Sequence, residues 1–185
     1  MPLDQIPEPW RSFLSEVDAQ LEDRVTFICL GGFVLTVLYD LRRPTSDIDV
    51  IEITRNPNWK RLAELAGKNS LLHKKFDVYL DPVAVAQYPE DFESRLREMF
   101  PGAFHQLRLF ALDPYDLVLS KLDRNSQKDR DDVKYLAQFL RLDLELLRLR
   151  FEQEFEPNFV GNTDTIGRTL QLWIEMIEDV RSSSS

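Results

Sequence analysis

Two short motifs in the N-terminal half combine a glycine turn with paired carboxylates. Gly31 and Gly32 follow the apolar run Val25–Leu30, and glycines at a turn that opens a helix let a ligand approach the backbone closely. Asp47 and Asp49 are two residues apart in an alternating segment, so on a strand both carboxylates share one face. Helix N-termini bind phosphate, and hard divalent cations bind carboxylate oxygens. The pattern indicates phosphate and metal chemistry that still needs a third carboxylate.

A later aspartate is the candidate for that third carboxylate. The segment Lys75–Leu80 alternates apolar and polar residues and is followed by an Asp-Pro pair, which predicts a strand closed by a turn. Asp77 lies on the polar face of this predicted strand. Three carboxylates on adjacent strands could hold two Mg²⁺ ions, with Mn²⁺ as an alternative, as in nucleotidyl transfer. Taken alone, Asp47 and Asp49 are explained equally well as exposed residues of a half-buried strand.

The elements that position these residues are predicted from periodicity and from turn residues. Strands are predicted at 25–30, 47–53, 75–80 and 105–112. Helices are predicted at 8–22, 33–39, 59–66, 114–122, 130–139, 142–155 and 165–180. Residues 90–99 are predicted to form a polar helix or a loop. The fold class expected is therefore α/β (α+β): a short mixed β-sheet flanked by helices, with a helical C-terminal segment.

One domain boundary is indicated near Leu112 and Asp113, where strand patterns give way to helical ones. This predicts a core of residues 1–112 and a helical segment of residues 113–181 packed on it. The four serines at 182–185 are expected to form a disordered tail.

Composition restricts the class of protein. A hydrophobic content of 43% and a charged content of 30% are typical of a globular chain, and the net charge of −9 disfavours nucleic-acid binding through a general basic surface. A single cysteine, Cys29, excludes an intrachain disulfide and a cysteine-rich zinc site. No apolar run reaches the roughly 18 residues of a membrane span, and no signal pattern is found, so a cytoplasmic protein with no membrane partner is expected.

The motifs together resemble those of the minimal nucleotidyltransferases of the DNA polymerase β-like superfamily. They are most similar to the AbiEii-type toxins and to related bacterial families. The residues that match the first motif are Gly31, Gly32, Arg43, Thr45, Asp47 and Asp49. Further along, residues 120–124 and 128–133 are similar to the family's helical Lys-Leu-x-x-Arg and Arg/Lys-Asp-x-x-Asp motifs. The resemblance extends over about residues 27–137 and implies a nucleotidyltransferase fold.

The resemblance also implies a role for each matching residue. Asp47 and Asp49 would hold both metal ions, and Asp77 would hold the catalytic ion and act as the base. The nucleotide-binding residues would be Gly31, Gly32, Arg43, Thr45, Lys121 and Arg124. The enzyme would transfer a nucleoside monophosphate (NMP) from a nucleoside triphosphate (NTP) to a hydroxyl of RNA, such as tRNA, or of a protein.

A second hypothesis is a weak or inactive protein of the same fold that binds a nucleotide or a partner in a defence or toxin–antitoxin system. Gly32 favours it, because many active members carry a serine there whose hydroxyl contacts the phosphate. Under the first hypothesis the protein could be a toxin with a cognate antitoxin. Lys121 could also be a solvated helix residue, and the oligomeric state is left open.

Overall fold

Two units make up the structure, which is a computed structural model describing residues 5–52, 59–83 and 87–183. The first unit comprises Met1–Ala84 and Leu96–Leu112, and the second comprises Val85–Arg95 and Asp113–Ser185. Residues 87–95, which the sequence predicts to lie in the core, thus group with the helical residues of the second unit.

A five-stranded mixed sheet is the framework of the first unit. Its strands are β1 (Val25–Leu30), β2 (Asp47–Glu52), β3 (Tyr79–Pro82), β4 (Arg97–Met99) and β5 (Leu107–Ala111). Their spatial order is β3-β2-β1-β5-β4. The pairs β1–β2 and β4–β5 are antiparallel, whereas β1–β5 and β2–β3 are parallel. The predicted mixed sheet is confirmed, and β3 is one of its two edge strands.

Helices surround the sheet in the first unit and dominate the second. The first unit contains α1 (Trp10–Ala19), α2 (Gly31–Tyr39), α3 (Trp59–Ala66) and α4 (Leu71–Phe76). The second contains α5 (Pro114–Leu119), α6 (Gln127–Leu140), α7 (Leu144–Arg150) and α8 (Thr163–Ser183). Short 3₁₀ turns lie at Phe92–Arg95 and Glu156–Asn158, and a π-helical turn lies at Phe151–Phe155. None of the described helices is long and apolar enough to cross a membrane.

The central strand β1 is buried along almost its whole length, as its apolar run predicts. Helix α1 covers the core with Trp10 and Phe13, and the ring of Trp10 lies 5.9 Å from that of Phe33. Burying a side chain of this size contributes about 1.5–3 kcal/mol. Cys29 belongs to the same core, and burial raises the pKa of its thiol, so the thiol stays neutral.

Helix α4 and its C-terminal cap occupy the first half of the strand predicted at 75–80. Ser70 caps the helix by accepting a hydrogen bond from the backbone N–H of His73 at 3.0 Å. The helix ends at Asp77, which is left-handed with φ of 57° and donates its N–H to the carbonyl of His73 at 2.8 Å. The period-2 prediction was wrong for residues 75–77 because a capped helical turn satisfies this backbone before β3 begins at Tyr79.

The structure also differs from the prediction at residues 97–99 and at the C-terminal serines. Residues 97–99, predicted as helix or loop, form the edge strand β4, which at three residues is too short to show a period in the sequence. Helix α8 continues through Ser182 and Ser183, which were assigned to a tail. Ser184 and Ser185 lie outside the described residues, as does Ile53 at the predicted end of the second strand.

Candidate active site

Gly31 forms the turn from β1 into α2, and both its backbone conformation and its contact with Asp49 require glycine. Gly31 has φ of 69°, a conformation that L side chains rarely adopt. A Cβ at this position would also lie 2.0 Å from Oδ2 of Asp49, which is far inside van der Waals contact. The Asp49 carboxylate therefore lies directly against the backbone that opens α2.

The second glycine is in contact with the loop that precedes β2. A Cβ at Gly32 would lie 2.9 Å from Oγ1 of Thr45 and 3.5 Å from Nη2 of Arg43. The Thr45 hydroxyl in turn donates a hydrogen bond to the Asp47 carboxylate. The structure thus brings together all six residues of the first predicted motif.

Strand pairing places a different third carboxylate beside this motif. In the parallel register of β2 and β3, Asp49 pairs with Asp81 and Asp47 pairs with Tyr79. Paired residues on adjacent strands are about 4.8 Å apart and point to one face of the sheet. Burial, together with the charges of Asp47, Asp81 and Asp49, raises the pKa of the Tyr79 phenol. Three carboxylates therefore share one face beside the glycine turn, and Asp81 is the one that sequence reasoning missed.

Asp77 does not belong to this group of carboxylates in the structure. Its side chain is 93% exposed, and its carboxylate lies 3.9 Å from Nε2 of His73. It caps α4 two residues before β3 begins, whereas Asp81 lies inside the strand.

A signal for Asp81 was present in the sequence. Asp81 continues the polar alternation of Asp77 and Tyr79, but the Asp-Pro pair indicated a turn. Proline is tolerated in an edge strand, where the missing N–H leaves no central hydrogen bond unmade. If β3 is treated as an edge strand, the alternating pattern predicts a strand that continues through Pro82. Asp81 can then pair with the strand that carries Asp47 and Asp49.

The three carboxylates suit Mg²⁺ or Mn²⁺ by their chemistry, because hard divalent cations prefer carboxylate oxygens and keep waters and substrate phosphates as further ligands. Among the described residues, no three His, Cys, Asp or Glu side chains are already gathered closely enough to enclose a metal ion.

The predicted nucleotide-binding residues Lys121 and Arg124 lie in a charged network of the second unit. The Lys121 ammonium is 3.0 Å from Asp132 and 3.3 Å from Asp129, and Lys121 is only 5% exposed. Arg124 donates two hydrogen bonds to Asp129, at 2.8 and 2.5 Å. Each of the two cations therefore contacts at least one carboxylate in this network. The triphosphate contacts of Lys121 and Arg124 stay predictions, and the burial of Lys121 between two carboxylates indicates a structural role for that lysine.

Asp129 also links this network to the start of α6. Its carboxylate accepts hydrogen bonds from the backbone N–H of Ser126 at 3.0 Å and from the Ser126 hydroxyl at 2.6 Å, while its own N–H donates to that hydroxyl at 3.2 Å. This reciprocal arrangement is a capping box. Burial alone would raise the pKa of Asp129, but the hydrogen bonds from Arg124 and Ser126 and the charge of Lys121 outweigh it and bring the pKa below its usual range.

We expect the lowered pKa of Asp129 to make the free energy of unfolding depend on pH. Because the folded pKa lies below the unfolded value of about 3.9, the contribution is complete well above that pH and is lost as the pH falls through it toward the folded pKa. Urea unfolding from pH 7 to pH 3 should show Asp129→Asn less stable than wild type at pH 7 and less sensitive to acid. Asp131→Asn, an exposed change on the same helix, should show the same change of unfolding free energy with pH as wild type. The prediction would be contradicted if Asp129→Asn also showed that change.

Comparison with known proteins identifies the family of this chain. The chain matches the family described as nucleotidyltransferases of unknown function (DUF6036) over residues 11–181. It is similar to 5-azacytidine-induced protein 2 from Homo sapiens, with 34% identity over 96 residues that cover 51% of this chain and 24% of that protein. The protein of the same name from Macaca fascicularis also gives 34% identity over 96 residues, 51% of this chain and 24% of its own.

The similarity to these relatives spans about a quarter of their length. No solved structure matches the chain significantly. The family match, in contrast, covers most of the chain and includes the glycine turn, Asp47, Asp49 and Asp81. This chain therefore belongs to the nucleotidyltransferase family DUF6036.

Proposed function

We propose that this protein transfers an NMP from an NTP to a hydroxyl acceptor, using Mg²⁺ or Mn²⁺. The observation that carries the proposal is the alignment of Asp81 with Asp49 in β3 and β2, with Asp49 packed against Gly31. An acidic face beside the first turn of a helix combines cation ligands with a phosphate-binding end. Membership of a nucleotidyltransferase family supports an NTP as the donor.

The residues of this site divide the work of the reaction. Asp47, Asp49 and Asp81 would hold the cations, which when bound neutralise the triphosphate and activate the acceptor hydroxyl. Backbone N–H groups of the first turn of α2 and the guanidinium of Arg43 bind the phosphates. Asp81 accepts the proton of the acceptor hydroxyl. The oxygen of that hydroxyl bonds to the α-phosphorus, and the bond from the α-phosphorus to pyrophosphate breaks. Positioning and charge stabilisation account for most of the rate.

RNA is the acceptor that the rim of the site favours. The Tyr79 ring lies 4.8 Å from the His73 ring, and the Lys68 ammonium is 5.7 Å from the Tyr79 ring centre. Aromatic rings with nearby cations are typical of sites for single-stranded RNA ends. The resemblance of the motifs to AbiEii-type toxins is the basis for including a tRNA acceptor and a toxin role with a cognate antitoxin in this proposal. Transfer of label to protein instead of RNA would change the acceptor.

A matched pair of variants tests which aspartate completes the site. We expect Asp81→Asn to lower transfer of labelled NMP to bulk tRNA by about 10²–10³-fold. The substitution removes one of the negative charges that would hold the cations, and these cations stabilise the transition state. Asp77→Asn should stay within about twofold of wild type, since this carboxylate is exposed on the cap of α4. The measurement is label transfer from each of the four NTPs with Mg²⁺, and the reverse order of effects would restore Asp77 to the site.

The same assay separates an enzyme from a nucleotide sensor. Mg²⁺-dependent NTP binding by calorimetry, without transfer to RNA or protein, would replace the transferase by a nucleotide-binding protein. Neither binding nor transfer by wild type would remove the proposed function altogether.

A further inference from the structure

Thr45 fills the space that a side chain on Gly32 would need. A Cβ at Gly32 would lie 2.9 Å from Oγ1 of Thr45 and 3.3 Å from its Cβ, closer than side chains normally pack. Gly32, unlike Gly31, is not among the described residues with positive φ, so its backbone conformation alone does not call for glycine. The need for glycine at position 32 therefore comes from Thr45.

The position of Thr45 has a consequence for Asp47. The Thr45 hydroxyl donates its hydrogen bond to Oδ1 of Asp47, two residues further along the chain. A hydrogen bond to an ionised carboxylate is stronger than one between neutral groups and restricts the carboxylate to one orientation. The hydroxyl also lies beside Gly32 in the first turn of α2, and glycine has no side-chain hydroxyl.

We propose that Thr45 is a positioning residue that orients Asp47 for cation binding, and that Gly32 is kept small to admit it. This inference rests on the proposed function, because it assumes that Asp47 is a cation ligand. In this arrangement the loop before β2 supplies the hydroxyl that the Gly31-Gly32 turn lacks.

A purely structural role for the same hydroxyl makes different predictions. Threonine hydroxyls often bond a group two residues along and stabilise a turn. If Thr45 only stabilised its loop, its loss would lower the unfolding temperature and leave cation affinity unchanged. A hydroxyl supplied from α2 could not then replace it.

The first test measures Mn²⁺ binding to the protein without NTP, by the paramagnetic resonance signal of free Mn²⁺. We expect Thr45→Val, which keeps the shape and loses the donor, to weaken Mn²⁺ binding by about 10–100-fold, as for other residues that orient metal ligands. Thr45→Ser, which keeps the donor, should stay within about threefold of wild type on the same reasoning. Thermal unfolding of each variant shows whether it is folded.

A transplanted hydroxyl provides the second test. Gly32→Ala in the presence of Thr45 should weaken binding through the clash. Gly32→Ser combined with Thr45→Ala removes the closest contact, that with Oγ1, and restores a hydroxyl from the helix side. It should therefore bind Mn²⁺ more tightly than Gly32→Ala combined with Thr45→Ala. The two double variants differ by one oxygen atom, so this comparison holds even if Thr45→Val fails to fold.

The outcomes separate this inference from the proposed function. Equal Mn²⁺ affinities for wild type and Thr45→Val, while Asp49→Asn abolishes binding, overturn the role of Thr45 and leave the cation site in place. Equal affinities for the two double variants overturn the role in the same way. Wild-type protein that binds Mn²⁺ no better than Asp49→Asn removes both the cation site and the role of Thr45.

Discussion

Replacing Asp49 by asparagine is expected to lower NMP transfer by at least about 10³-fold, the upper part of the loss seen on removing a single charge-stabilising group. Asp49 is the central carboxylate of the site, since it lies against Gly31 and pairs with Asp81 on the next strand. Asparagine keeps the size of the side chain and removes the negative charge that would hold a divalent cation. The measurement is label transfer from NTP under single-turnover conditions, where binding and chemistry can be separated.

Stability measurements make this result specific. Thermal unfolding of Asp49→Asn shows whether the variant is folded, so that a loss of transfer can be assigned to the missing charge. The matched control is Asp40→Asn, which changes an exposed aspartate at the left-handed end of α2, where asparagine is also well tolerated. Asp40→Asn should transfer at the wild-type rate; full activity in Asp49→Asn would show that the acidic face is not the active site.

Replacing Lys121 by methionine is expected to lower the free energy of unfolding by about 3–5 kcal/mol, the usual result of removing one partner of a buried ion pair. The change would leave Asp129 and Asp132, both nearly inaccessible to solvent, without the ammonium at 3.3 and 3.0 Å. Urea unfolding at pH 7 measures the effect. Lys128→Met, at an exposed position in the first turn of α6, should change stability by less than about 0.5 kcal/mol.

A double variant distinguishes this structural role from nucleotide binding. Asp132→Asn combined with Lys121→Met removes one charge of each sign, so it should be more stable than Lys121→Met alone. If Lys121→Met instead keeps its stability to within about 1 kcal/mol and loses NTP affinity, the triphosphate contact predicted from the sequence would be the main role of Lys121.

The first motif could be predicted from the sequence because its signals are local. The apolar run Val25–Leu30 ended by two glycines predicts strand β1 and the start of α2, and the spacing of Asp47 and Asp49 places them on one face. Each of these signals spans fewer than about ten residues, over which backbone geometry alone decides how side chains are arranged.

The third carboxylate could not be chosen in the same way. Asp77 and Asp81 both lie on the polar side of one alternating pattern, and only the pairing of β3 with β2 decides which of them meets Asp49. Register depends on which residues bury their side chains against the rest of the core. The burial of Val78 and Leu80 and the capped helix before them set that register.

The sequence by itself determined a mixed α/β fold, a glycine turn that opens a helix and an acidic pair beside it, because periodicity and turn chemistry act along the chain. Only the tertiary structure decided that Asp81 joins the pair, that Thr45 requires Gly32, and that Lys121 lies among carboxylates. These three outcomes depend on atoms from separate segments meeting within a few ångströms, and strand register and side-chain packing decide such meetings.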